Sequence, residues 1–131
     1  METKLIDPQD VVVLGVPNYS HRIQVEGAQR WVQLSGQVGV APDGSVPPGF
    51  GSQCRQAFLN IQACLRDAGL GFDDVVMLRI FLLEREDLEV LRTIRAEFFG
   101  TRCFPYTLVF VSGLVNPAWK VELEVTAAAA A

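Results

Sequence analysis

Hydrophobic and polar residues alternate with period 2 through the last apolar run of the chain. Val121, Leu123 and Val125 fall on one face of a strand and Lys120, Glu122 and Glu124 on the other. The run before it is apolar on both sides, Tyr106, Leu108 and Phe110 sharing one face and Thr107, Val109 and Val111 the other. Joined through the turn signal Asn116-Pro117, the two runs read as a hairpin over Tyr106–Thr126. Further upstream the period lengthens to three and four. Ala57, Phe58, Ile61, Cys64, Leu65 and Ala68 form one stripe of a helix that opens near Ser52 and stops at Gly69. A second helix is predicted from about Asp87 to Phe99, with Leu88, Leu91, Ile94 and Phe98 inward and Gly100 as its stop. Glu86 and Asp87 suit the positive end of that helix.

Between the helices Asp74–Leu83 is β-rich, and the first fifty residues read as strands and turns. Val11–Gly15 is a short strand ended by Pro17-Asn18, while Arg22–Val25 and Trp31–Leu34 are the arms of a hairpin around Glu26–Gln29. Trp31, Gln33 and Ser35 share a face that presents polar atoms towards a cleft. The alanines at 127–131 read as a tail without assigned structure. The order is strand, hairpin, helix, strand, helix, hairpin. That is an α+β layer with both helices on one face of a mixed sheet, because right-handed crossovers place them on the same side. The opposite face lacks cover, and other copies of the chain are the nearest source of it.

Composition sharpens this picture. Half of the 131 residues are hydrophobic, which is rich for a small monomer and fits apolar surface buried between subunits. Residues 1–131 make one domain, large enough for a core without metal or disulfide staples. The apolar run Val75–Leu83, interrupted by Arg79, is too short to span a membrane. Met1-Glu2-Thr3-Lys4 does not open a secretory signal, so a cytoplasmic location is expected. A net charge of −4 without a basic cluster argues against nucleic-acid binding. Cys54, Cys64 and Cys103 form no Cys-x-x-Cys pair and, with one histidine, offer a poor zinc site, so they read as free thiols.

Few residues carry candidate chemistry. Glu122 sits beside a partly covered surface, where a carboxylate needs a partner or a task; pairing with Lys120 or Arg79 is the structural alternative. Arg79 inside an apolar strand is costly unless paired, and reads as an inter-subunit ion pair or a carboxylate receptor. Tyr106 is a core aromatic or a hydrogen-bond donor to a ligand. His21, beside Ser20, reaches a nucleophile role only if the fold brings a partner to it. Cys103 beside Arg102 is a candidate reactive thiol.

Several motifs resemble the Rid family, the YjgF-like reactive-intermediate deaminases also called L-PSP endoribonucleases. They are Tyr19-Ser20, Leu34-Ser35-Gly36-Gln37, Gln53 with Asn60-Ile61, Leu65 with Ala68-Gly69, Asp74-Val75-Val76 with Phe81-Leu82, Glu97-Phe98-Phe99, and Val121-Glu122-Leu123-Glu124. The similarity runs from about residue 17 to 127 in order. It implies a chorismate-mutase-like α+β fold, a barrel-like homotrimer with ligand clefts between subunits, and hydrolysis of amino-acid-derived enamines and imines without cofactor or metal. Carried over by residue, the resemblance assigns Tyr19, Ser35, Gly36 and the water-orienting Glu122 to the cleft, with Phe81 on its wall.

The chain departs from the family at the ligand-reading positions. Deaminating members resembling it carry a carboxylate-clamping arginine eight positions before the leucine of the last hairpin, and counting back from Leu114 gives Tyr106. Arg102 or Arg79 are the candidate replacements. Arg92, Thr93 and Arg95 stand where many members have asparagine. Two classes of function follow: a Rid-like enzyme retuned from small carboxylate-bearing imines such as 2-aminoacrylate to hydrolysis or proton transfer on a neutral or larger imine, enamine or related intermediate, with Glu122 as general base and Tyr106 or Tyr19 as donor, or a non-catalytic trimer binding a metabolite or protein.

Overall fold

The computed structural model describes residues 1–131. Its elements in order are β1 (Glu2–Ile6), β2 (Arg22–Glu26), β3 (Arg30–Gln33), β4 (Gln37–Val38), α1 (Phe50–Asp67), β5 (Val75–Leu82), α2 (Leu88–Phe99), β6 (Tyr106–Phe110) and β7 (Val121–Ala129). Strand β5 is the axis of the main sheet. It runs parallel to β6 on one side and antiparallel to β7 on the other, β3 and β4 pairing with the far side of β7.

Both helices cover one face of this mixed sheet, as the periodicity predicts. From the sheet Leu78, Ile80, Leu82, Val121, Leu123 and Val125 point into the core; from the helices Cys54, Ala57, Phe58, Ile61, Leu65, Leu91, Ile94 and Phe99 meet them. Each large apolar side chain so buried contributes about 1.5–3 kcal/mol. Helix α1 starts at Phe50 rather than near Ser52, because Gly49 turns the chain in at φ 79° and no side chain caps the end.

The strand pairings differ from those expected. The two runs of Tyr106–Thr126 do not form a hairpin; β5 lies between them. A strand that follows a helix after β5 returns parallel to β5, and the connection before β7 then carries the chain across to the free edge of β5. Nor do Arg22–Val25 and Trp31–Leu34 pair. β2 pairs with β1 as a separate two-stranded ribbon, and β3 pairs with β7. Val11–Gly15 is not a strand but exposed irregular chain, whereas the polar-looking Glu2–Ile6 is one. The alanine tail is ordered as well. Ala127, Ala128 and Ala129 continue β7 and are buried, opposite Val32, Trp31 and Arg30.

Candidate functional site

The face of the main sheet away from the helices carries Met77, Arg79 and Phe81 from β5, opposite Thr126, Glu124 and Glu122 from β7. Thr107 and Val109 from β6 stand beside Arg79 and Phe81 on the same face. Arg79 donates to Glu124 at 2.9 Å, so the odd arginine of the apolar strand has its partner within the chain. That pairing leaves Glu122 out of the three ion pairs of the molecule. Glu122 is half-buried, next to Phe81 across one strand and Val38 across the other.

Its position is built from both sides. Gly36, just before β4, passes so close that a β-carbon there would lie 2.7 Å from Cδ and 2.9 Å from Oε2 of Glu122. Asn60 of α1 donates to the carbonyls of Val38 and Val40 at 3.0 and 2.9 Å, fixing β4 and its flank. The buried Gln53 donates to the Ala118 carbonyl at 3.0 Å and accepts from the Lys120 N–H at 2.9 Å, fixing the entry to β7. Ser35 is exposed, and its carbonyl accepts from Gln37. A hollow of about 450 Å³ opens nearby, bounded by Arg22, Trp31, Met77, Arg79 and Thr126.

Tyr106 and Tyr19 lie elsewhere. Tyr106 packs towards the helices, in register with the core residue Leu78. Its hydroxyl donates to the Pro17 carbonyl at 3.2 Å, and its ring meets that of Tyr19 edge-on at 5.5 Å. Burial raises the Tyr106 phenol above its ordinary range, with the positive charges of Arg95 and Arg92 pulling the other way. Together with Leu14, Val16, Leu88, Arg92, Thr107 and Leu108 the two tyrosines line a pocket of about 340 Å³. Behind Tyr106 sits Arg95, 6% exposed, its guanidinium 4.9 to 5.4 Å from the rings of Phe104, Phe99 and Tyr106. Its Nε and Nη2 are buried without a partner.

The structure thus brings together Glu122, Gly36, Ser35, Phe81 and Arg79, and separately Tyr19 with Tyr106. It does not bring Tyr106 to Glu122 within one chain, because the two side chains leave the sheet on opposite faces. Arg102 is not near Glu122 either. Its Nη1 donates to the Phe72 carbonyl at 3.1 Å and its head stacks on Phe104 at 4.9 Å. His21 engages the Val12 carbonyl through Nε2 at 2.8 Å and the Tyr19 hydroxyl through Nδ1 at 3.3 Å. Ser20 Oγ donates to the Arg22 carbonyl, so no Ser-His pair forms. Cys103 is exposed beside the Thr101 carbonyl. The sequence reading missed the pocket walls Leu14 and Val16, whose signal was an apolar run left exposed by any strand pattern. No helix is long and apolar enough to cross a membrane.

The family model described as Endoribonuclease L-PSP matches residues 13–129. Among curated proteins the chain is similar to the RutC family protein YjgH of Escherichia coli, 35% identical over 92 residues, covering 69% of this chain and 70% of that one. It is 32% identical over 111 residues to the 2-iminobutanoate/2-iminopropanoate deaminase of Mus musculus, covering 83% and 79%. Among solved structures it resembles YyfB, a Rid-family protein of unknown function from Yersinia pestis, with a TM-score of 0.84 and 25% identity over 98% of this chain and 100% of that one.

Proposed function

The chain belongs to the endoribonuclease L-PSP family, and from that premise we propose that it is a cofactor-independent, homotrimeric enzyme. In this reading it hydrolyses a specialised imine or enamine at clefts between its subunits. The observation that carries the reading is Glu122: a half-buried carboxylate, left out of every ion pair of the chain and seated on a glycine that leaves it room. A carboxylate so placed is available to take a proton. The mouse relative acts, by its name, on 2-iminobutanoate and 2-iminopropanoate, which supports the same reaction class here.

The separation of Glu122 from the two tyrosines supports the subunit cleft. One ligand meets both only where the open sheet face of one copy stands against the Tyr19–Tyr106 pocket of the next. Water in that cleft gives a proton to Glu122 while its oxygen bonds to the imine carbon, and Glu122 passes that proton to the imine nitrogen. The carbinolamine then gives its hydroxyl proton to Glu122, which hands it to the nitrogen as the C–N bond breaks, leaving a carbonyl, ammonia and the carboxylate restored. A tyrosine hydroxyl from the adjacent pocket donates to the developing charge. Ser35, Gly36, Phe81 and Arg79 shape the wall, Arg102 is held away from it by Phe72 and Phe104, and residues 1–131 act as a single domain.

The test generates imines with an amino-acid oxidase from apolar amino acids and follows keto acid and ammonia. Glu122→Gln keeps shape and removes the charge, and a loss on the order of a hundredfold or more is expected with the trimer intact. Unchanged turnover in that variant would refute the proton-transfer role of Glu122, whereas no turnover in the wild type would leave a binding trimer as the surviving reading.

A further inference from the structure

We propose that Arg92 is the anion anchor of the Tyr19–Tyr106 pocket, and that the pocket takes a carboxylate carried on an apolar body. The inference deepens the cleft reading above and rests on it for the identity of the site. Four of the pocket's walls, Leu14, Val16, Leu88 and Leu108, are aliphatic, and the two tyrosine rings stand edge to face. No acidic residue lines it, and Arg92 is its one charged residue. With about 340 Å³ the pocket holds a group larger than a few atoms.

The two arginines that the sequence offers as replacement clamps are committed. Arg79 is held by Glu124 at 2.9 Å, and Arg102 by the Phe72 carbonyl at 3.1 Å. Arg92 is tied only to Glu89, one helical turn back, at 2.8 Å. Glu89 is 81% exposed, and a solvated pair of this kind gives way readily to a better-desolvated anion. Arg95 adds to the attraction. Its guanidinium lies 5.4 Å from the Tyr106 ring, buried with no anion beside it, so the wall behind the pocket carries uncompensated positive charge. A planar guanidinium at the mouth takes a carboxylate through two parallel hydrogen bonds while the apolar body fills the space towards Leu108 and Tyr19.

Calorimetric titration with 3-phenylpropanoate and its uncharged counterpart 3-phenylpropanamide tests this on the intact protein. The carboxylate should bind the wild type more tightly than the amide. Arg92→Gln, on the helix surface, should weaken the carboxylate about tenfold or more and leave the amide unchanged. Arg55→Gln, on the outer groove between the helices, should change neither. Equal weakening of both probes, no weakening of either, or no binding of either to the wild type overturns the proposal. Glu122→Gln separates it from the reaction reading: retained turnover in that variant removes the general base, whereas the contrast between the two probes at Arg92 is measured without turnover.

Discussion

Glu122 rests on Gly36, whose missing side chain is the space the carboxylate occupies: a β-carbon there would come within 2.9 Å of Oε2. The backbone of Gly36 is not in the left-handed region, so alanine strains nothing but this contact. The obstacle is the far end of a flexible side chain, and Gly36→Ala should cost less than about 1.5 kcal/mol of stability. It should nevertheless displace the carboxylate and lower imine hydrolysis by about tenfold or more, since small misplacements of a reacting group are expensive. Urea unfolding and turnover, measured on the same variant, check the two halves; full activity would show that this seat has no bearing on the chemistry.

Gln53→Ala should be far more damaging to the fold than an average helix substitution. The side chain is 2% exposed and serves both the Ala118 carbonyl and the Lys120 N–H. Removing it leaves two backbone groups unpaired, at about 2–4 kcal/mol in all. A urea midpoint within experimental error of the wild type would contradict this.

Tyr106→Arg should fail to place a cation beside Glu122. It points the new guanidinium at the helices, where Arg95 is already buried and unpaired, and removes the hydrogen bond to Pro17. A loss of about 2–4 kcal/mol is expected without gain in hydrolysis of small imino acids. Thr107→Arg, on the exposed face beside Arg79, should fold normally and is the substitution expected to raise that activity. Rescue by Tyr106→Arg alone would reverse the assignment of faces.

In solution the chain should weigh three times its 14.4 kDa. The face opposite the helices leaves Trp31 58% and Val109 40% exposed, with Met77 and Phe81 between them, more apolar surface than one copy keeps in water. Light scattering at micromolar concentration reads the mass directly, and a stable monomer is the result that removes the shared cleft.

Burial pushes the Cys54 thiol from its ordinary 9.0 up to about 12. A group that holds its proton more tightly when folded contributes stability that is complete below the unfolded value. That contribution is lost as pH rises from about 9 through about 12. Across that window the wild type should lose on the order of 4 kcal/mol that Cys54→Ala does not. Parallel urea titrations at stepped alkaline pH give the difference. In the native protein a thiol reagent should label the exposed Cys64 and Cys103 and spare Cys54.

The helices were legible because a stripe of Phe58, Ile61 and Leu65 or of Leu91 and Ile94 has one structural meaning. Strand pairing was not. Alternation in Val121–Val125 reports which residues share a face, and says nothing of whether the neighbour is β5 or β6. The same limit governed the site. The resemblance, not the residue pattern, put Ser35, Gly36 and Glu122 in one cleft, and in the fold Gly36 packs against the Glu122 carboxylate. Tyr106 was placed by counting back from Leu114 across irregular chain, and a slip of one residue moves a strand position to the opposite face. The burial of Arg95 gave no signal, since an arginine next to an inward stripe is ordinarily solvated. The separate ribbon of β1 and β2 was hidden by Glu2, Thr3 and Lys4, whose polarity reflects a strand pair with little to bury.

That ribbon gives the molecule two melting points in the sense of amide exchange. Two strands with no sheet beyond them are marginal by themselves, so β1 and β2 should exchange their protons through small local openings while β5 and β7 wait for global unfolding. The segment leading from the ribbon supplies Leu14 and Val16 to the tyrosine pocket. Occupancy of the pocket should therefore be coupled to the order of the weakest part of the chain, and a bound molecule should register as slowed exchange along Arg22–Glu26, at a distance from every atom it touches.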